Sequence, residues 1–348
     1  MRLKPNILSV ILLQVWLLAW LSVWLPIVAR SQVATGGVTT EKQLPPDRNK
    51  YAVIISGISG EETYAQQFAE WRERLRKSLL DRLGFAEDRI KVLTEKPAGG
   101  EDASTAVAIR ETFAGLQRLV EPSQPVFVFL IGHGSYDGQV SRFNLPGPDL
   151  TAEEIGGILG TLRTERLVLV NMTSASGDYV KLLAGVGRVI ITATRSGMEQ
   201  NAPKFAEYFI SALENPAADQ DRNRRISVLE AFEYGTKMTA ARYEKSGKLV
   251  TEHALIEDNG DGVGHPGAEA GDGGLARLTW LDSLPQQQAG GDPALAGLFE
   301  ERLRMEGAVE QLKSRKSTLR SEEYAASLET LLIDMAKLNR AIRARRKR

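Results

Sequence analysis

The stretch Val126-Phe-Val-Phe-Leu-Ile-Gly-His-Gly-Ser135 decides how the rest of the chain is read. Six consecutive apolar residues, rich in β-branched and aromatic types, are the mark of a strand buried on both faces of a sheet. The run stops at Gly132-His133-Gly134, which holds a chargeable ring between two glycines at the strand's carboxyl end. In open α/β sheets that end is where ligands bind and chemistry is done. The glycines allow close backbone approach and leave amide N–H groups free to meet an anion. His133 is therefore the first candidate for a functional side chain, and it raises the question of a partnering nucleophile.

Working outward, apolar runs at 51–57, 89–94, 167–170 and 188–192 read as further strands. Helical periodicity fills the intervals at 62–83, 103–120, 151–162, 199–214 and 228–243. Phe68, Trp71, Leu75, Leu79 and Leu80 form one stripe of the first helix, and Gly84 stops it. Such alternation predicts a mostly parallel sheet covered by helices on both faces. Its strands end in Gly132-His133-Gly134, in Thr173-Ser174-Ala175-Ser176-Gly177 and in Thr192-Ala193-Thr194, and all three loops should open on one edge.

Lys plus Arg and Asp plus Glu both number 44 in the 348 residues. No global field therefore draws the chain to nucleic acid, and none is expected as a partner. Cysteine is absent, which excludes disulfides, thiolate metal sites and a cysteine nucleophile. Arg2 and Lys4 precede an apolar run at 7–28, followed by Ala29-Arg30-Ser31. Residues 1–31 thus read as a cleaved signal peptide or, the run being nearly long enough to span a bilayer, as a retained membrane tether. Either places the body of the protein outside the cytoplasm, secreted, periplasmic or anchored. Residues 32–49 read as a linker, 50–262 as the α/β domain and 263–292, rich in Gly, Ala, Pro and Gln, as a second linker.

Residues 293–348 change character to a helical hairpin. Tyr324, Leu328, Leu331, Met335, Leu338 and Ile342 follow a 4-3-4-3-4 spacing, a heptad seam, with a patchier match at Leu298, Met305, Val309, Leu312 and Leu319. The hairpin either packs on its own domain or serves self-association or docking to a partner.

The ordered pair of strand ends carries a resemblance. Ile131-Gly132-His133-Gly134, then a hydrophobic strand into Ser174-Ala175-Ser176-Gly177, resembles the caspase/legumain superfamily of cysteine peptidases (clan CD), most closely bacterial legumain-like proteins. There one strand ends in His-Gly and the next in a Cys two residues before Ser-Gly. The likeness spans residues 51–261, including Phe143-Asn-Leu-Pro-Gly-Pro-Asp149 and Thr251-Glu-His-Ala-Leu-Ile-Glu-Asp-Asn-Gly-Asp261. It implies a caspase-like, mostly parallel sheet sandwiched by helices, with His133 as the catalytic histidine and the Gly134 amide as an oxyanion donor. It also puts Ser174 where the family has its cysteine, and Arg195 and Ser176 beside the substrate pocket.

That serine decides the chemistry. A thiol is partly ionised at neutral pH, whereas a hydroxyl needs a base in direct hydrogen-bond contact, itself oriented by a third group. Asp137 is the nearby candidate to orient the ring, although Asp137-Gly138 also reads as a turn. The expectation is a catalytically impaired pseudopeptidase that binds a peptide or protein in the cell envelope. The alternative is an active peptidase or transamidase using Ser174 with His133.

No cofactor is expected, and calcium is the one ion the sequence offers. Asp219, Asp221, Asn223, Ser227 and Glu230 stand at positions 1, 3, 5, 9 and 12 of an EF-hand-like loop. Arg224 occupies the position that wants glycine, between Arg222 and Arg225, and Ser227 with Glu230 reads equally well as a capping box.

Overall fold

The computed structural model describes residues 46–346 apart from 224, 269–270, 283–288, 290–291, 315 and 317–318. The signal peptide or tether expected at 1–31, and nearly all of the first linker, lie outside the described residues.

A seven-stranded sheet in the order β10-β9-β8-β4-β1-β2-β3 forms the centre. Its strands are β1 (Tyr51–Ser56), β2 (Ile90–Thr94), β3 (Asp102–Ala103), β4 (Val126–Ile131), β8 (Leu167–Asn171), β9 (Arg188–Thr192) and β10 (Leu255–Glu257). All neighbours pair in parallel except β10, which runs antiparallel to β9. A smaller antiparallel sheet, β5 (Gly134–Tyr136), β6 (Ser141–Phe143) and β7 (Leu150–Thr151), grows from the end of β4.

Strand β4 is buried along its whole length because helices cover both sides. Phe127, Phe129 and Ile131 point into one core with Phe68, Trp71 and Leu75 of α1 (Glu62–Lys77). Phe209 of α5 (Phe205–Glu214) and Phe232 of α6 (Val228–Lys245) complete that side. Val126, Val128 and Leu130 point into the other core, with Ile109 and Phe113 of α2 (Ala106–Leu119). Leu159 of α3 (Ala152–Gly160) and Leu183 of α4 (Asp178–Leu183) join them. The alternation follows from the two-residue period of a strand. Two helices begin at capping boxes, Thr151 with Glu154 and Ser227 with Glu230.

The domain continues past the boundaries read from the sequence. Asp47, expected in a linker, is fully buried and hydrogen-bonds its backbone to Gly84 and Ala86. The described residues of 263–282, also expected as linker, contribute Ala276 and Leu281 to the core. His265 pairs with Ile256 beside β10, and α7 (Gly274–Arg277) buries Ala276. Arg225 grips Asp282 with contacts of 2.6–3.0 Å while stacking 4.2 Å from the Trp280 ring. The Gly-rich composition misleads here because tertiary partners, rather than local periodicity, order the segment.

Beyond it, α8 (Pro293–Ser314) and α9 (Ser321–Arg346) pack along each other. Leu295, Phe299, Leu338 and Ile342 form their common core.

Candidate functional site

Strand order fixes where the site lies. The chain leaves β1 for β2 on one side and returns to β4 on the other, so the crevice outside the carboxyl ends of β1 and β4 is the topological switch point. His133 stands there. Its Nε2 meets the Ser59 carbonyl of the β1 loop at 3.3 Å. Ser59 is itself fixed by Glu95, which accepts from its amide at 3.1 Å and its hydroxyl at 2.6 Å. The imidazole packs edge-on against Tyr64 at 4.5 Å and Phe68 at 5.1 Å between ring centroids. This burial pushes its pKa below the usual histidine value.

Ser174 arrives from the end of β8, one strand over. Its side chain is spoken for by the glycine beside His133: Oγ accepts from the Gly134 N–H at 3.1 Å and donates to the Gly134 carbonyl at 2.9 Å. A side chain at position 134 would sit 2.1 Å from the Ser174 carbonyl, which is why a glycine is needed there. Thr173 places its amide and hydroxyl on Asn171 Oδ1 at 3.1 and 2.7 Å, and its hydroxyl also lies 3.1 Å from the Ser174 carbonyl. Ala175, immediately after Ser174, adopts a left-handed φ of +51°, a strained conformation for a residue with a Cβ. Its amide is held by the Glu199 carbonyl at 2.8 Å.

The other candidates sort differently. Asp137 does not orient the imidazole. It accepts from the Gln139 and Val140 amides and pairs with Arg142 at 2.7 Å. The Val140 amide, then the Arg142 guanidinium, holds its carboxyl at about 2. The turn chemistry of Asp-Gly prevails over the catalytic reading. Ser176 is fully buried and lashes β8 to β9, exchanging hydrogen bonds with Thr194 at 2.7, 3.0 and 3.2 Å. It lines no open pocket. Arg195 does lie beside the site, 61% exposed and paired with Glu199 at 3.0 Å. The backbone at Arg195 packs against Gly177, where a Cβ would come within 2.2 Å.

Glu199 was not singled out in the sequence, yet it joins the loops. Besides Arg195 and Ala175 it takes the His253 amide at 3.0 Å and His253 Nδ1 at 2.5 Å. The available signal was Arg195 and Glu199 at a four-residue spacing, too common on its own to point to a site. Tyr64 and Phe68, the walls around His133, share that spacing on the first helix.

Asp219, Asp221 and Glu230 bring ligand atoms within 4.8 Å of one another. Glu230, however, already accepts from the Gln220 amide at 2.9 Å and from the Ser227 amide and hydroxyl at 2.9 and 2.8 Å. Asp219 and Asp221 both accept from the Asn223 amide at 2.9 Å. Backbone donors thus occupy acceptor sites on all three carboxylates.

The site therefore has a half-buried imidazole, a backbone amide aimed at a hydroxyl, and no hydrogen bond between His133 and Ser174. No helix among the described residues is long and apolar enough to cross a membrane. No protein-family model and no curated protein sequence matches the chain. One solved structure that matches is a secreted C11 cysteine protease from Bacteroides thetaiotaomicron, in complex with an irreversible peptide inhibitor. The match has a TM-score of 0.36 and 11% identity, covering 60% of this chain and 66% of that one, just under two thirds of the protease's length. So distant a likeness decides nothing about chemistry.

Proposed function

We propose that this chain is a pseudopeptidase: a caspase/legumain-like scaffold that binds a peptide or protein segment outside the cytoplasm and does not turn it over. The observation that supports this most is the state of Ser174. A serine nucleophile needs its proton taken by a base in contact with it. Here the hydroxyl proton goes to the Gly134 carbonyl, and His133 Nε2 is directed to Ser59. The Gly134 amide, the family's oxyanion donor, meets Ser174 Oγ instead of an incoming carbonyl oxygen. Neither group is poised for acyl transfer. The exposed Arg195, with Met198 73% exposed in the same loop, offers a contact surface for an acidic or apolar side chain.

The test is covalent labelling of the purified protein by a fluorophosphonate. No labelling is expected at concentrations that label serine hydrolases. Labelling that disappears in Ser174→Ala would favour the active-hydrolase alternative and overturn the reading. Binding of an acidic peptide that persists in Ser174→Ala and weakens in Arg195→Glu would support it.

A further inference from the structure

A concavity of about 690 Å3 lies apart from the His133 site and includes none of its residues. It is a groove along the hairpin. Phe299, Arg302, Glu306, Val309 and Lys313 of α8 line it at spacings of 3-4-3-4. At 1.5 Å per residue those positions extend over about 21 Å. Residues of α9 from Leu332 onward form the facing wall. Arg222, Leu278 and Trp280 of the α/β domain close the third side.

The two packed helices and the segment beside them present a concave face against which another helix can pack. The groove's chemistry narrows the choice of helix. Its floor is apolar, through Phe299, Val309, Leu332, Met335 and Trp280. Of the nineteen lining residues seven are Lys or Arg and two are Asp or Glu. Arg222, Arg340 and Arg343 are exposed and, among the described residues, make no ion pair or hydrogen bond. Each remains free to receive a carboxylate.

A second copy of the hairpin is a poor occupant. Residues 293–348 carry thirteen Lys or Arg against eight Asp or Glu, so pairing two of these faces sets arginine against arginine. We propose that the groove between α8, α9 and the 277–280 segment docks an acidic amphipathic helix of a partner protein. The partner's apolar stripe would lie on Leu332, Met335 and Trp280, its carboxylates on Arg222, Arg340 and Arg343. This surface is separate from the cleft at His133 and stands whether or not that cleft binds peptide.

The test is fluorescence anisotropy of the full-length protein with two labelled synthetic helices. Both carry leucine at heptad spacing; one is flanked by glutamates and the other by lysines. The glutamate helix should bind and the lysine helix should not. Arg340→Glu with Arg343→Glu should weaken binding by about tenfold or more, as should raised salt. Leu332→Glu, 51% exposed in the free protein, should weaken it similarly through the floor. Both changes fall on exposed positions, and an unchanged unfolding midpoint verifies that each variant is folded. The proposal is overturned if the glutamate helix fails to bind, if both helices bind alike, or if neither variant alters the affinity. It is equally overturned if sedimentation shows a dimer of this chain that Arg340→Glu with Arg343→Glu dissociates, because a second copy would then fill the groove.

Discussion

At the scale of single residues, Ser174 is part of the framework. Ser174 is 2% exposed, and its hydroxyl bonds both polar groups of the Gly134 backbone. Removing it leaves a buried N–H and a buried carbonyl without those partners. Ser174→Ala should therefore lower stability by about 1–3 kcal/mol, read as a lower urea midpoint with unchanged m. A variant as stable as the parent would refute this account of the hydroxyl. The histidine was legible from its glycines. Its neighbours Ser59, Tyr64 and Phe68 were not, because 74 residues separate Ser59 from the ring it touches.

At the scale of elements, the informative case is the segment 263–282. Its composition reads as a linker, yet its Asp282 reaches back across 57 residues to Arg225. Both side chains are under a tenth exposed, and the guanidinium is held between the carboxylate and the Trp280 ring. Taking one partner from a buried pair strands the other charge, which costs about 3–5 kcal/mol. Arg225→Met should show a loss of that order in chemical denaturation. Arg225→Met with Asp282→Leu should recover much of it, since no lone charge is then buried. A double variant no better than the single one would refute the account. The five longer strands and the longer helices were legible because each is long enough for its period to register, whereas β3, β5, β6, β7 and β10, of two or three residues, were not. The helix expected from residue 199 begins instead at Phe205, because 195–200 is held as a loop by Glu199.

At the scale of the whole molecule, Lys50 draws distant parts of the chain together. Its ammonium donates to Leu83 O at 2.8 Å and Leu281 O at 2.9 Å, beside the Phe85 ring and 3.8 Å from Asp47. Burial, against the pull of Asp47, brings its pKa down to about 8 from 10.5. Between those values the unfolded chain holds a proton that the folded protein has released, so this residue's contribution to stability rises with pH. The rise amounts to at most about 3 kcal/mol across the window. Measured as the difference in unfolding free energy between the parent and Lys50→Met from pH 7 to 10.5, the parent should gain steadily on the variant above pH 8. A flat difference would show that the amine stays charged.

The sequence by itself determined the α/β class, the alternation that makes the sheet parallel, and the edge on which His133 and Ser174 lie. These are local properties: runs of apolar residues at periods of 2 and 3.6, and glycines where strands stop. Pairing across the sheet, burial and distance decided the rest. They turned Asp137 back into its own turn and committed Ser176 to Thr194. They gave Ser174 to Gly134 rather than to His133. A hydroxyl's reactivity depends on which acceptor lies within 3 Å of it, and only the fold sets that distance.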